Sequence, residues 1–379
     1  MPPKDPPVEI PRDRRVELGL MFSHTCNITC RHCGIFSSPQ NKNKMRLEDA
    51  RRWIMDAARI PIIKQINFTG GEPFLFQDEH AELFALCRSL GFGTRVVTNG
   101  FWARTVDAGL KVLSRMKEAG LTELNFSADI FHLEFLPPET LRNALECARQ
   151  LDYCRIVSFV TNSEEEPLDQ FSALYGIPRA DLTALIPSKI MPLLMNPETE
   201  WAVKATVLVY AGRLIGLGRA AEHPGDLRWF HVDRLSDGCC LEVVNKPVIY
   251  PDGDLQACCC AGGKMNPFTV GNLHRESLEA VIGKMFGRSQ FHFINTNGPK
   301  ALFKLVAAVR PNLPRQDHYT SVCEMCVRTA DGLSATELDE IANYGQLKKM
   351  FNLLGDDFLE AAPTEGRDSE RPLTSTANS

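Results

Sequence analysis

Between residues 17 and about 210, short β-rich runs alternate with helical patterns. This is the arrangement of repeated βα units feeding a parallel sheet, and it constrains the fold more than any other feature of the chain. Six runs read as strands: Glu17 to Ser23, Gln65 to Thr69, Thr94 to Thr98, Glu123 to Ser127, Arg155 to Val160 and Ala205 to Tyr210. Between them, Leu47 to Arg59, Glu79 to Leu90, Val106 to Ala119 and Glu139 to Leu151 repeat apolar residues at three- and four-residue spacing, as amphipathic helices do. The fifth connection is longer and less regular. With 379 residues the chain has room for such an α/β barrel and a smaller unit after it.

In barrels of this kind chemistry gathers in the loops after the carboxyl ends of the strands. Here the first strand runs through His24 into Cys26-x3-Cys30-x2-Cys33 and the second ends in Thr69-Gly70-Gly71-Glu72-Pro73. The third and fourth end in Thr98-Asn99-Gly100 and Ser127-Ala128-Asp129. Three thiolates in one loop can each ligate one iron of a 4Fe-4S cube and leave the fourth iron open. The competing reading is a closed zinc site completed by His24 or His32, which leaves the other strand-end motifs unexplained. His132 is nearby, and a lone histidine on such a loop is more often structural than catalytic.

The cysteine spacing at the end of a first barrel strand resembles the radical S-adenosylmethionine superfamily. The resemblance covers the barrel and implies an α/β fold, a partial (β/α)6 barrel. In that family the open iron is chelated by S-adenosylmethionine, whose reductive cleavage releases a 5'-deoxyadenosyl radical. It implies that Cys26, Cys30 and Cys33 are metal ligands. It also implies that Gly70, Gly71, Glu72 and Pro73 receive the methionine amino group, where two glycines permit close backbone approach and a carboxylate suits an ammonium. Thr98, Asn99, Ser127 and Asp129 match further cofactor-contacting positions of relatives, although short polar residues at strand ends also serve as helix caps.

Beyond about residue 235 the pattern becomes a hairpin, Val248-Ile249-Tyr250, Pro251-Asp252-Gly253-Asp254 and Leu255 to Cys258, followed by a short helix from Glu276 to Phe286 and the pair Cys323 and Cys326. This part resembles a reduced SPASM or twitch extension, as do Gly218-Arg219-Ala220 and Gly271-Asn272-Leu273. The resemblance implies one auxiliary 4Fe-4S cluster held by Cys240, Cys258, Cys323 and Cys326, with Cys239 an alternative to Cys240 and Cys259 or Cys260 to Cys258. A zinc ribbon is the competing reading of those four cysteines. The implied organisation is an N-terminal arm over residues 1–16, the barrel over 17–234, the small hairpin-containing auxiliary-cluster domain over 235–355 and a disordered tail over 356–379.

Composition excludes some functions. A net charge of -5 with both signs interspersed gives no basic stripe for nucleic acid. No apolar run approaches the roughly 20 residues of a membrane span, and the start lacks a signal-peptide core. The thirteen cysteines fall in tight groups, as ligands do and a disulfide framework does not, so a reducing cytoplasm is the expected compartment. The resemblance implies S-adenosylmethionine as cofactor, a flavodoxin or ferredoxin as electron donor, and a ribosomally made peptide as substrate, crosslinked or oxidised. Oxidation of a small alcohol or of a protein Ser or Cys side chain stands as the alternative enzyme reading, and a zinc-binding interaction protein as the non-catalytic one.

Overall fold

The computed structural model describes residues 10–354 except 12–13, 162, 164, 187–188, 190–192, 194–196 and 260–263. The expected tail over 356–379 lies outside the described residues, as does most of the expected N-terminal arm. Seven strands form the first part of the chain: β1 (Val16–Ser23), β2 (Ile63–Gly70), β3 (Gly93–Thr98), β4 (Glu123–Asp129), β5 (Arg155–Val160), β6 (Leu182–Ala184) and β7 (Val207–Gly212). The described α-helices among them include α1 (Leu47–Ala57), α2 (Gln77–Ser89), α3 (Val106–Ala119), the single turn α4 (Ile130–Leu133), α5 (Pro138–Gln150), α6 (Pro167–Tyr175) and, just before β7, the helix Pro197–Lys204.

Local chemistry explains these boundaries. The Thr105 hydroxyl accepts from the Ala108 N–H at 3.2 Å to start α3, and Gly120, at φ +124°, stops it. On α1, Ala50, Trp53, Ile54 and Ala57 make one buried stripe at helical spacing. The longer fifth connection contains α6, which opens on Pro167 and closes on left-handed Gly176.

β1 to β5 and then β7 lie side by side in parallel, so the expected series of six is present. The sheet nevertheless does not close, because both of its flanks carry further strands. β6, three residues that the sequence reading did not include, pairs outside β7. On the other flank β9 (Val248–Ile249) pairs in parallel with Gly19 and Leu20 of β1, followed by β10 (Asp254–Gln256) and β11 (Thr269–Asn272) in antiparallel order. Gly19 allows this seam, since a Cβ there would lie 2.9 Å from Val248 Cγ2. A short two-stranded pair, β8 (Phe230–His231) with β12 (His318–Tyr319), stands apart.

One apolar core runs through both parts of the chain, from Leu18, Phe68 and Phe126 to Phe268, Phe291, Leu302 and Ile341. Each fully buried large side chain there contributes about 1.5–3 kcal/mol by leaving water. The hairpin and the helices after it are therefore built onto the sheet edge beside the cysteine loop. No helix of the described residues is long and apolar enough to cross a membrane.

Candidate functional site

At the carboxyl end of β1 the chain enters a loop stitched to itself. Cys26 N–H donates to Ser38 O at 3.1 Å, Ser38 N–H to His24 O at 3.2 Å, and the Thr25 hydroxyl to Asn41 O at 2.7 Å. Cys26, Cys30 and Cys33 all line one cavity of about 380 Å³, together with Thr69, Gly70, Gly71, Thr98, Asn99 and Ser127 from the next three strand ends. Burial pushes the Cys26 thiol up to about 12 and raises that of Cys30 as well, so without a cation beside them both stay protonated at neutral pH. A bound metal reverses that balance and takes them as thiolates.

The glycines of the second strand end are fixed by the cysteine loop itself. Gly70 has φ +144°, and a Cβ on Gly71 would lie 1.9 Å from Thr25 O. Through this close approach Gly71 N–H donates to Ser23 O at 2.6 Å and Glu72 N–H to Thr25 O at 2.9 Å. The Glu72 carboxylate is buried and accepts from Phe74 N–H at 3.0 Å, the Thr98 hydroxyl at 2.7 Å and Asn99 N–H at 2.8 Å. Burial raises its pKa to about 7, against the pull of these donors. Glu72 thus braces β2 to β3 and lies behind the cavity wall, as does Pro73. Asn99 Nδ2 donates to Asn27 Oδ1 at 2.9 Å, which ties the third strand end to the cysteine loop.

Asp129 also lies behind the wall. One of its oxygens accepts from the Phe131 and His132 N–H groups, each at 3.0 Å, and from His132 Nδ1 at 2.9 Å. The other faces His32 Nε2 at 3.3 Å. Burial works to raise this carboxyl, yet His132 and His32 outweigh it and hold it below the usual carboxylate range. Burial likewise pushes His32 down to about 4, so its ring is neutral at pH 7. Its Nδ1 is buried with no hydrogen-bond partner among the described residues. Both imidazoles line the cavity where Asp129 does not. His132, taken from sequence as structural, was legible as the third residue after a helix-capping Asp.

Among the described residues, one set of three His, Cys, Asp or Glu side chains brings its ligand atoms within 4.8 Å of one another: Cys30, His32 and His132. A single ion gathers ligands about 2 Å from one centre, whereas a cube that gives each thiolate its own iron holds the sulfurs farther apart. His24, the other histidine of the zinc reading, faces Ile35 O at 3.1 Å through Nδ1.

Arg219 is the clamp that the sequence reading quoted without a role. Its guanidinium donates to Cys30 O at 2.7 Å and Ser37 O at 2.8 Å, while its N–H donates to Cys33 O at 3.0 Å. Gly218, at φ +59°, permits the approach, because a Cβ there would lie 2.2 Å from Gly34 O. Arg31 pairs with Glu134 at 2.6 Å and Asp226 at 2.7 Å, linking the same loop to two further segments.

The C-terminal cysteines are spread over three segments. Cys240 is half-buried, and its carbonyl accepts from Asn295 Nδ2 at 2.8 Å. Cys258 follows β10, while Cys323 and Cys326 lie in the first turns of the helix Val322–Ala330. Cys240, Cys258 and Cys326 pack against the same main core. Cys239 is exposed, as is Cys259, whose thiol donates to Glu242 at 3.4 Å, and Cys260 lies outside the described residues.

Residues 20–169 match the sequence profile of the Radical SAM superfamily, and this span contains the three-cysteine loop and the strand ends that face it. This is a radical SAM domain. YydG of Bacillus subtilis (strain 168), whose name assigns it to peptide biosynthesis, is 30% identical over 125 residues, 33% of this chain and 39% of its own. The PqqA peptide cyclase of Xanthomonas oryzae pv. oryzae (strain MAFF 311018) is 32% identical over 111 residues, 28% of this chain and 27% of its own. The chain therefore spans less than half the length of these relatives. Among solved structures, BtrN in complex with AdoMet and 2-DOIA is 12% identical, covers 75% of this chain and 89% of its own, and superposes with a TM-score of 0.43. Streptococcus suis SuiB bound to S-adenosylmethionine is 17% identical, with 71% and 65% covered and a TM-score of 0.38. At these scores neither structural likeness carries an argument.

Proposed function

We propose that this chain is a radical SAM enzyme in which Cys26, Cys30 and Cys33 hold a 4Fe-4S cluster, and that it crosslinks or oxidises a ribosomally made peptide. The observation that carries the reading is the convergence of the three thiols on one cavity that also exposes Gly70, Gly71, Thr98, Asn99 and Ser127. Its volume, about 380 Å³, is that of a small-molecule site, and the unpartnered His32 Nδ1 suits a polar ligand. When bound, the reduced cluster and S-adenosylmethionine supply the 5'-deoxyadenosyl radical that removes a substrate hydrogen. The chain's own residues then have separable tasks. Arg219 and the Gly70-Gly71 approach keep the cysteine loop in place; Ile28, Val97, Val160 and Leu214 wall the cavity with apolar surface and keep water from it. Asp129 orients His132 and His32 toward the cavity.

The peptide substrate rests on the names of YydG and PqqA peptide cyclase. In the same reading Cys240, Cys258, Cys323 and Cys326 would hold one auxiliary 4Fe-4S cluster, which would supply a one-electron acceptor; burial favours Cys240 over Cys239 and Cys258 over Cys259. A flavodoxin or ferredoxin supplies the reducing electron. The test is anaerobic reconstitution with iron and sulfide of the wild type and of a Cys26, Cys30 and Cys33 triple-alanine variant. About eight irons per chain falling to about four, with 5'-deoxyadenosine formed from S-adenosylmethionine and dithionite only by the wild type, is the expected result. Low iron in both with zinc retained would overturn the reading in favour of an ion at Cys30, His32 and His132.

A further inference from the structure

Asp129 faces two imidazoles that belong to different elements. His132, on α4, gives Nδ1–H to one carboxylate oxygen at 2.9 Å, and His32, on the cysteine loop, turns Nε2 to the other at 3.3 Å. Each ring therefore has one nitrogen beside the carboxylate and one left over. On His32 the remaining Nδ1 is buried without a hydrogen-bond partner among the described residues, and both rings line the cavity that Cys30 also lines. Phe131 stacks on His32 with ring centroids 4.8 Å apart, and Arg219 holds the Cys30 carbonyl at 2.7 Å, so the ring and the cysteine backbone are both fixed.

Capping of α4 accounts for the bonds from Phe131 and His132 N–H to Asp129. It does not account for His32, which comes from another loop, or for its idle nitrogen. A carboxylate behind an imidazole is the arrangement that aims a histidine at a metal ion. The set aimed here is one thiol and two imidazoles, whose ligand atoms lie within 4.8 Å of one another. Such a set suits zinc, bound at about 2.0–2.3 Å, and not calcium or magnesium, which take oxygen ligands. With the Cys30 proton released on binding, the thiolate and the Asp129 carboxylate together balance a divalent charge. Among the described residues the Lys or Arg side chain lining the cavity is Arg213, just after β7; its guanidinium lies over the Phe230 ring at 4.0 Å from the centroid.

We propose that the chain without its cluster binds one zinc ion through Cys30, His32 and His132, and that this ion and the 4Fe-4S cluster exclude each other because both need the Cys30 thiolate. The zinc site stands on its own geometry; the exclusion rests on the cluster reading above. Zinc here takes one cysteine of the three, so it blocks the cube while leaving Cys26 and Cys33 without a metal.

The test starts from full-length protein stripped with chelator without oxygen and titrated with Co(II) or Zn(II), in the wild type and in Cys26→Ala, Cys30→Ala, Cys33→Ala, His132→Gln and Asp129→Asn. Difference spectra against Cys30→Ala cancel what the C-terminal cysteines bind. The expected difference is a tetrahedral Co(II) spectrum with the charge-transfer intensity of one thiolate. It should persist in Cys26→Ala and Cys33→Ala, with affinity about tenfold or more weaker in Asp129→Asn and at least as weak in His132→Gln; His32→Gln repeats the measurement if His132→Gln does not fold. Loss of the ion in Cys26→Ala or Cys33→Ala, or unchanged affinity in both histidine variants, would overturn the site in favour of three thiolates. Iron and sulfide are then added at a free zinc concentration that fills the site in the wild type and not in His132→Gln. Relative to its own zinc-free uptake, the wild type should lose about four irons per chain more than the variant, and equal losses would overturn the exclusion. Failure to form 5'-deoxyadenosine in a separate assay would remove the radical reading while the cobalt result stood, so the two failures are distinguishable.

Discussion

At the ends of β2 and β3, Glu72, Thr98 and Asn99 spend their hydrogen bonds on one another and on the cysteine loop. Beyond β5 and β7, by contrast, Arg213 meets a phenyl ring and is otherwise open to solvent. The first side is buried, backbone-rich and intolerant of added atoms; the second is exposed and made of long side chains. A wall built of backbone and buried braces suits a ligand that is always the same, and a wall of exposed side chains suits one that differs from protein to protein. The same cavity system thus separates a fixed requirement from an adaptable one.

The most severe way to break this contrast is Gly71→Ala. Its methyl group would lie 1.9 Å from Thr25 O, so β2 and the cysteine loop must part. A stability loss of about 4 kcal/mol or more, with loss of iron uptake, is expected in denaturant titration and iron analysis; a variant that melts and loads like the wild type would show that the fixed side is not fixed.

The next effect is a pH dependence on the same side. His80 is fully buried among Phe22, Phe68 and Phe84, donates Nδ1–H to Phe76 O at 2.9 Å, and is pushed down to about 4 by burial. Its folded pKa is below the unfolded value, so the unfolded chain binds more protons. Stability contributed by the neutral ring is present above about pH 6.5 and is lost as pH falls toward 4, by about 3 kcal/mol. Denaturation midpoints compared at pH 7 and pH 5 should fall less in His80→Gln than in the wild type, and equal slopes would remove His80 as the cause.

The smallest effect sharpens the other half of the comparison. Arg213→Gln gives up one exposed ring contact, worth about 0.5–1 kcal/mol, and its melting temperature should barely move. A large drop would mean that Arg213 supports the fold, and that the adaptable side is as constrained as the first.

Much of this was legible in the sequence because the signals are local. β5 and α3 have the limits read from the residues, and β1 to β4 lie within two residues of theirs, since alternation and caps act over a few positions. The cavity residues Gly70, Gly71, Thr98, Asn99 and Ser127 were found because they stand at strand ends. Three-residue β6 carries too little pattern to stand out, and β7 begins at Val207 where the helix Pro197–Lys204 leaves off, two residues later than read. Which partners Glu72 and Asp129 bond to was not readable, because spacing gives a residue's place on a strand and not which neighbours saturate it. Phe230, over whose ring Arg213 lies, pairs with Tyr319 of β12, almost ninety positions further on, and no short motif encodes such a pairing.

The seam between β1 and β9 has a consequence for how the protein is made. The strand that leads into the cysteine loop keeps one edge of bare N–H and C=O groups until Val248 and Ile249 have left the ribosome and paired with Gly19 and Leu20. Such an edge recruits other chains, so the nascent protein carries its cysteine loop beside an unpaired border for most of its synthesis. Shortening the chain before the seam would make that border permanent.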